Sequence, residues 1–386
     1  MAERIYLDWN ATAPLRPEAK AAMAHAWEIS GNPSSVHAEG RQARRLMEEA
    51  RAAVAASVGA DAANVVFTSG GTEANALALT PGLRRGREPA AERLLVSAIE
   101  HVSVLAGGRF TAEATQRIGV TPSGIVDLEL LRDLLDGPPA LVSIMLANNE
   151  TGAIQPVAEA AELVHGAGGL LHVDAIQALG RIPFDLASTG ADLLSLSAHK
   201  IGGPKGVGAL VLAEGIEGLS PLLRGGGQEK GRRAGTENVA GIAGFGAAAR
   251  VALAERDNEA AGAEQLRERL EIGLRQTPGM VVFADDVQRL PNTVLFTVPG
   301  LRAETAVIGF DLAGIAVSSG SACSSGKVQP SHVVEAMGYS RELAEGAVRL
   351  SLGWSTTEAD IDSALQAWRK LADTLLKGNE TRLELF

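Results

Sequence analysis

The sequence has a single cysteine, Cys323, among 386 residues. That excludes an intrachain disulfide and a cysteine-rich metal site. Aromatic residues reach only 4%, so stacking platforms for single-stranded nucleic acid are scarce. Positive charge is in deficit: 35 Lys and Arg against 46 Asp and Glu leave a formal charge of −11. This balance opposes a phosphate backbone, and no nucleic-acid partner is expected. No apolar run of about 18 residues occurs, so no membrane association is expected. The opening MAERIYLDWN lacks the apolar core of a signal peptide, and the expected location is cytoplasmic. None of the seven histidines has a partner at zinc-enzyme spacing, so no metal is expected.

Glycine is plentiful, at 44 residues, and hydrophobic residues make up 46%. There is no Gly-X-Y period, so the glycines signal tight turns in a globular chain. Length favours two domains.

Strand-length apolar runs alternate with amphipathic stretches. Strands are expected at 64–68, 94–97, 116–120, 140–146, 170–174, 193–197 and 208–212. Helices are expected at 17–28, 36–57, 72–80, 127–136 and 156–167. Such order predicts an α/β fold with a mostly parallel sheet covered on both faces. A long helix from about 238 to 275 leads to a second unit, with strands near 280–283, 293–297 and 348–352. Helices there are expected at 303–313, 330–337 and 357–376.

Four segments carry chemistry. In NVVFTSGGTEANALAL, residues 64–79, a strand passes through Ser69-Gly70-Gly71 into a helix at Thr72. Glycine admits close backbone approach, and a helix start presents free N–H groups, which together make a phosphate cup. The plainer reading is a turn capped by Thr72. Asp174 closes the strand LLHVD, where open α/β sheets bind ligands, or it caps the turn that follows. Gln177 lies three residues on. Ser197, His199 and Lys200 follow the strand LLSLS. Desolvation at that position would lower the lysine pKa and make a better amine nucleophile; a solvated strand-end lysine is the alternative. Cys323 lies in GSACSSG, whose small residues predict a mobile loop bearing an accessible nucleophile, although lone cysteines are often buried packing residues.

Taken in order, these pieces resemble the cysteine desulfurases of the fold-type I, class V pyridoxal-phosphate enzymes. The likeness also rests on YLDWNATAP at 6–14, GNPSSVH at 31–37, EH at 100–101, NNETG at 148–152 and VDAIQ at 173–177. It continues through GGGQEKGRRAGTEN at 225–238, SSGSAC at 318–323 and VRLSLG at 348–353. The resemblance implies a large cofactor-binding domain, 15–256, with a mostly parallel, mixed seven-stranded sheet. Residues 1–14 and 257–386 would form a smaller α+β domain carrying the Cys323 loop.

The resemblance further implies that Lys200 binds pyridoxal phosphate through its amine and later moves the substrate's Cα proton. Asp174 would pair with the pyridine nitrogen, and His101 would stack on the ring as an acid–base candidate. Gln177 and Asn149 would address the phenolic oxygen. Gly71, Thr72, Ser197 and His199 would hold the phosphate, joined by Thr236 from a second subunit of a homodimer. Arg349, assisted by Asn32, would bind the substrate carboxylate. L-cysteine would yield L-alanine and a persulfide on Cys323, passed to an acceptor such as an iron–sulfur scaffold protein. The segment at 225–238 looks closer to the nitrogen-fixation branch, and the ending TRLELF is shorter than the tail of the housekeeping type. Another class V enzyme, an aminotransferase or selenocysteine lyase, is the alternative.

Overall fold

The structure, a computed structural model, describes residues 4–320 and 329–376. Seven strands form the main sheet: β1 (Val65–Thr68), β2 (Arg93–Ser97), β3 (Thr115–Ile118), β4 (Ala140–Met145), β5 (Leu170–Asp174), β6 (Leu193–Ser197) and β7 (Gly208–Leu212). Their order across the sheet is β1-β7-β6-β5-β4-β2-β3. The block from β6 to β3 is parallel, and β7 runs antiparallel to both β6 and β1. This is a mixed, mostly parallel seven-stranded sheet, as the resemblance implies.

Strand alternation sorts the side chains. Val142, Ile144, Leu171, Val173, Leu194 and Leu196 face one way, into the larger core. That core is closed by helices α1 (Pro17–Trp27), α2 (Ala38–Ala56) and the first half of the 36-residue α4 (Val239–Leu274). Leu141, Leu170 and Leu193 face the other way, toward α3 (Gly71–Ala78). His172, Asp174, Ser195 and Ser197 share that second face, because each lies an even number of residues from Leu170 or an even number from Leu193. Ser143, His172 and Ser195 form a wholly buried row across β4, β5 and β6, with His172 bonded to both hydroxyls at 2.8 and 2.9 Å. Asp174 sits one step further along β5, at its C-terminal end.

A second, four-stranded sheet holds β8 (Val281–Val282), β9 (Thr293–Thr297), β10 (Ser318–Ser319) and β11 (Val348–Ser351), all neighbours antiparallel. Val294, Phe296, Val348 and Leu350 pack beneath α5 (Ala303–Leu312) and α6 (Glu358–Leu375). Phe296 meets Trp368 edge-on, with ring centroids 4.9 Å apart. The N-terminal Ile5–Tyr6 pairs with Ile315–Ala316. The chain then crosses to the main sheet: Asn10 N–H bonds Ser351 Oγ at 2.9 Å, while the carbonyls of Asn10 and Ala11 reach Lys200. Among the described residues no helix is long and apolar enough to cross a membrane.

Candidate active site

The C-terminal ends of the parallel strands open into a cavity of about 280 Å³. Each wall has a structural origin. The first turn of α3 contributes Gly71 and Thr72, and the turn after β5 contributes Gln177 beside the strand-end Asp174. Ser197 ends β6, and one 3-10 turn carries His199 and Lys200. Loops after β2 and β4 bring His101 and Asn149, and Arg349 arrives from β11 of the second sheet.

Two expected residues lie elsewhere. Asn32 is exposed in a turn, where its Oδ1 accepts the Ser34 N–H at 2.8 Å. Thr236 is exposed and does not line the cavity of this single chain. Cys323 lies outside the described residues. The α3 helix starts at Gly71, one residue before the expected Thr72, and Gly70 is its N-cap without a side-chain bond. Thr72 therefore sits inside the first turn instead of capping it.

Lys200 Nζ donates to the carbonyls of Asn10 at 2.6 Å and Ala11 at 2.9 Å. Withdrawal from water and the nearby guanidinium groups of Arg349 and Arg181 pull its pKa down to about 7, against the opposite pull of Asp8 and Asp174. A large fraction of the amine is thus unprotonated near neutral pH, as nucleophilic attack requires. Asp174 is 5% exposed. Burial pushes its carboxyl up, while the Ile176 N–H at 3.0 Å, Asn75 Nδ2 at 2.8 Å and the charged forms of His101 and Lys200 pull it down. The bond to Ile176 is the capping bond of the turn, so Asp174 caps and faces the cavity at once.

His101 caps the helical turn Val102–Leu105, accepting the Ser103 N–H at Nδ1. Desolvation lowers its pKa. His199 bonds Thr12 Oγ1 at 3.1 Å through Nδ1, and its pKa falls to about 4, chiefly by burial. Arg349, 2% exposed, donates to Asp8 Oδ1 and to the Asn149 carbonyl, both at 2.9 Å.

The donor set fits pyridoxal phosphate. Ser197 Oγ is buried with no hydrogen-bond partner among the described residues. It lies beside the first turn of α3, whose N–H groups have no intrahelical acceptors. An anion satisfies both. A Cβ on Gly71 would stand 2.2 Å from Ile176 Cδ1 and 3.5 Å from Ser197 Cβ, so glycine keeps this cradle open. A depressed lysine amine and a buried carboxylate complete the requirements for an aldehyde and a pyridine nitrogen. Among the described residues no group of His, Cys, Asp and Glu is arranged to hold a metal ion.

Fold and site together define a pyridoxal-phosphate-dependent enzyme. The chain belongs to the aminotransferase class-V family, which matches residues 5–364. It is 46% identical to a cysteine desulfurase of Cereibacter sphaeroides over 97% of each chain. It is 39% identical to a cysteine desulfurase IscS of Dictyoglomus turgidum, over 97% of this chain and 96% of that one. A solved NifS-like protein from Rickettsia africae superposes with a TM-score of 0.87 at 36% identity, covering 96% of this chain and all of that one.

Several participants carried no assigned role in the sequence. Asn10 and Ala11 fall in the YLDWNATAP segment, yet nothing local says that their carbonyls will meet Lys200. Asp8 and Arg181 are likewise visible only as charges until packing sets them against Arg349 and Gln177.

Proposed function

We propose that the protein is a cysteine desulfurase, which converts L-cysteine to L-alanine and leaves the sulfur as a persulfide on Cys323. The observation that carries this reading is Lys200, an amine held near neutral pKa in one cavity with Asp174 and Arg349. The names of the relatives support the choice of substrate.

Pyridoxal phosphate supplies an electron sink for the pair released at Cα. Gly71, Thr72, Ser197 and His199 would hold its phosphate, and Asp174 would keep its pyridine nitrogen protonated by ion pairing. Gln177 and Asn149 would address its phenolic oxygen, and His101 would lie against its ring. Arg349 binds the substrate carboxylate, a planar acceptor that matches its fork. Lys200 Nζ removes the Cα proton. Cys323 Sγ, as thiolate, attacks the substrate sulfur. The new S–S bond forms as the Cβ–S bond breaks, the pair left on Cβ takes up a proton, and Lys200 returns a proton to Cα to give alanine.

The division into a domain of 15–256 and a second of 1–14 with 257–386 is part of this proposal, supported by the pairing of Ile5–Tyr6 with Ile315–Ala316. A homodimer, an iron–sulfur scaffold protein as sulfur acceptor and a role near nitrogen fixation complete the reading. A reducing cytoplasm suits a lone reactive thiol.

The test is the intact mass after brief exposure to L-cysteine without reductant. Wild type is expected to gain one sulfur atom while alanine accumulates, and Cys323→Ala to gain none. A cofactor-loaded wild type that gains no sulfur and releases no alanine overturns the proposal.

A further inference from the structure

Asp174 ends β5 and His101 lies in the loop after β2, and no hydrogen bond joins the two directly. One buried side chain lies between them. Asn75, on α3, is 0% exposed. Its Nδ2 donates to Asp174 Oδ2 at 2.8 Å and to Ser103 Oγ at 3.0 Å. The amide orientation is set by the carboxylate, which accepts only from nitrogen. Ser103 Oγ, having accepted from Asn75, lies 2.8 Å from His101 Nδ1. The backbone N–H of Ser103 donates to the same Nδ1 at 3.2 Å, which makes that nitrogen an acceptor and directs the Ser103 hydroxyl hydrogen at it. A ring nitrogen that receives two donors carries no proton, which assigns the hydrogen to Nε2.

We propose that Asn75 and Ser103 are positioning residues that join Asp174 and His101 into one hydrogen-bonded unit and hold His101 neutral, with its proton on Nε2. This rests on the cofactor roles given above. The purpose is electrostatic. Asp174 is the partner of a positive pyridinium, and a positive imidazolium stacked on the same ring would repel it. Yet Asp174 itself favours a charged His101, whereas Lys200 and His332 oppose it. Two donors on Nδ1 tip the ring toward neutrality, because they bond only to the unprotonated nitrogen. Asn75 spends its two N–H groups on this unit, and its Oδ1 has no partner among the described residues. The site thus leaves an acceptor unsatisfied to keep the link.

The test uses the full-chain holoenzyme with 15N-labelled histidine, His101 being assigned by loss of its signals in His101→Gln. In wild type, Nε2 is expected to be protonated and Nδ1 to show the shift of a hydrogen-bonded acceptor. Ser103→Ala is expected to raise the proton affinity of His101 roughly three- to tenfold, the worth of one hydrogen bond. Ser103→Thr, which keeps the hydroxyl, is expected to restore it. A packing role alone would lower Tm and leave the midpoint where it was. A proton on Nδ1 in wild type, or no rise in midpoint for Ser103→Ala over the pH range in which the enzyme is folded, overturns the proposal. Alanine release by wild type is scored separately. Its absence would count against desulfuration and not against the tautomer.

Discussion

At the residue scale, Lys200 is set by what surrounds it. Two backbone carbonyls orient its amine, and two arginines with poor hydration oppose its charge. Only the unprotonated amine attacks an aldehyde. Cofactor-free protein should therefore take up pyridoxal phosphate at a rate that rises with pH and levels off just above pH 7, where the amine titrates. A free lysine would level off only above about 10.4. Borohydride trapping of the bound cofactor at timed intervals gives the profile. Asp8 raises the Lys200 pKa, so Asp8→Asn should move the plateau to lower pH. A rate that still climbs through pH 9 contradicts this account of the amine.

At the element scale, the segment carrying Thr236 is tethered by a buried ion pair. Arg51, on α2, forks onto Glu229 with two bonds of 2.7 Å. Glu229 also accepts the Phe67 N–H of β1 at 3.0 Å. Glu229 and Lys230 have φ of 47° and 58°, the left-handed region that side-chain-bearing residues adopt at a cost. The pair holds that turn in place. Removing one partner of a buried pair leaves an uncompensated charge, which costs about 3–5 kcal/mol. Glu229→Ala is expected to lose that much in urea denaturation, and Glu229→Ala with Arg51→Met to recover most of it. A loss under about 1 kcal/mol would show the pair to behave like a surface contact.

At the scale of the whole molecule, the cavity gathers residues from both sheets, and Arg349 reaches it only because the N-terminal segment ties β11 to the Lys200 turn. Thr236 is absent from that cavity and exposed, which fits a role across a subunit interface. The protein should sediment as a dimer. Thr236→Val, nearly equal in shape, should weaken retention of pyridoxal phosphate roughly three- to tenfold without dissociating the dimer, as read by equilibrium dialysis beside sedimentation. Wild-type retention in Thr236→Val would remove the residue from the phosphate site.

The sequence by itself determined the strands of the main sheet and the faces they present. Alternation is a local property, written residue by residue in LLHVD and LLSLS. Asp174, Lys200 and Gly71 were legible for the same reason, since each stands at a strand end or turn whose chemistry its neighbours define. The short strands Ile5–Tyr6, Ile315–Ala316 and Ser318–Ser319 were not legible, because two residues carry no periodicity. Nor were the Asp8–Arg349 pair and the Asn75–Ser103 link. Asp8 and Arg349 are 341 positions apart, and Ser103 is an ordinary polar residue until α3 packs on β6, β7 and the turn Val102–Leu105. Tertiary structure decided these contacts because they depend on the register of distant elements, which the packing of both cores sets together and no short stretch of chain encodes.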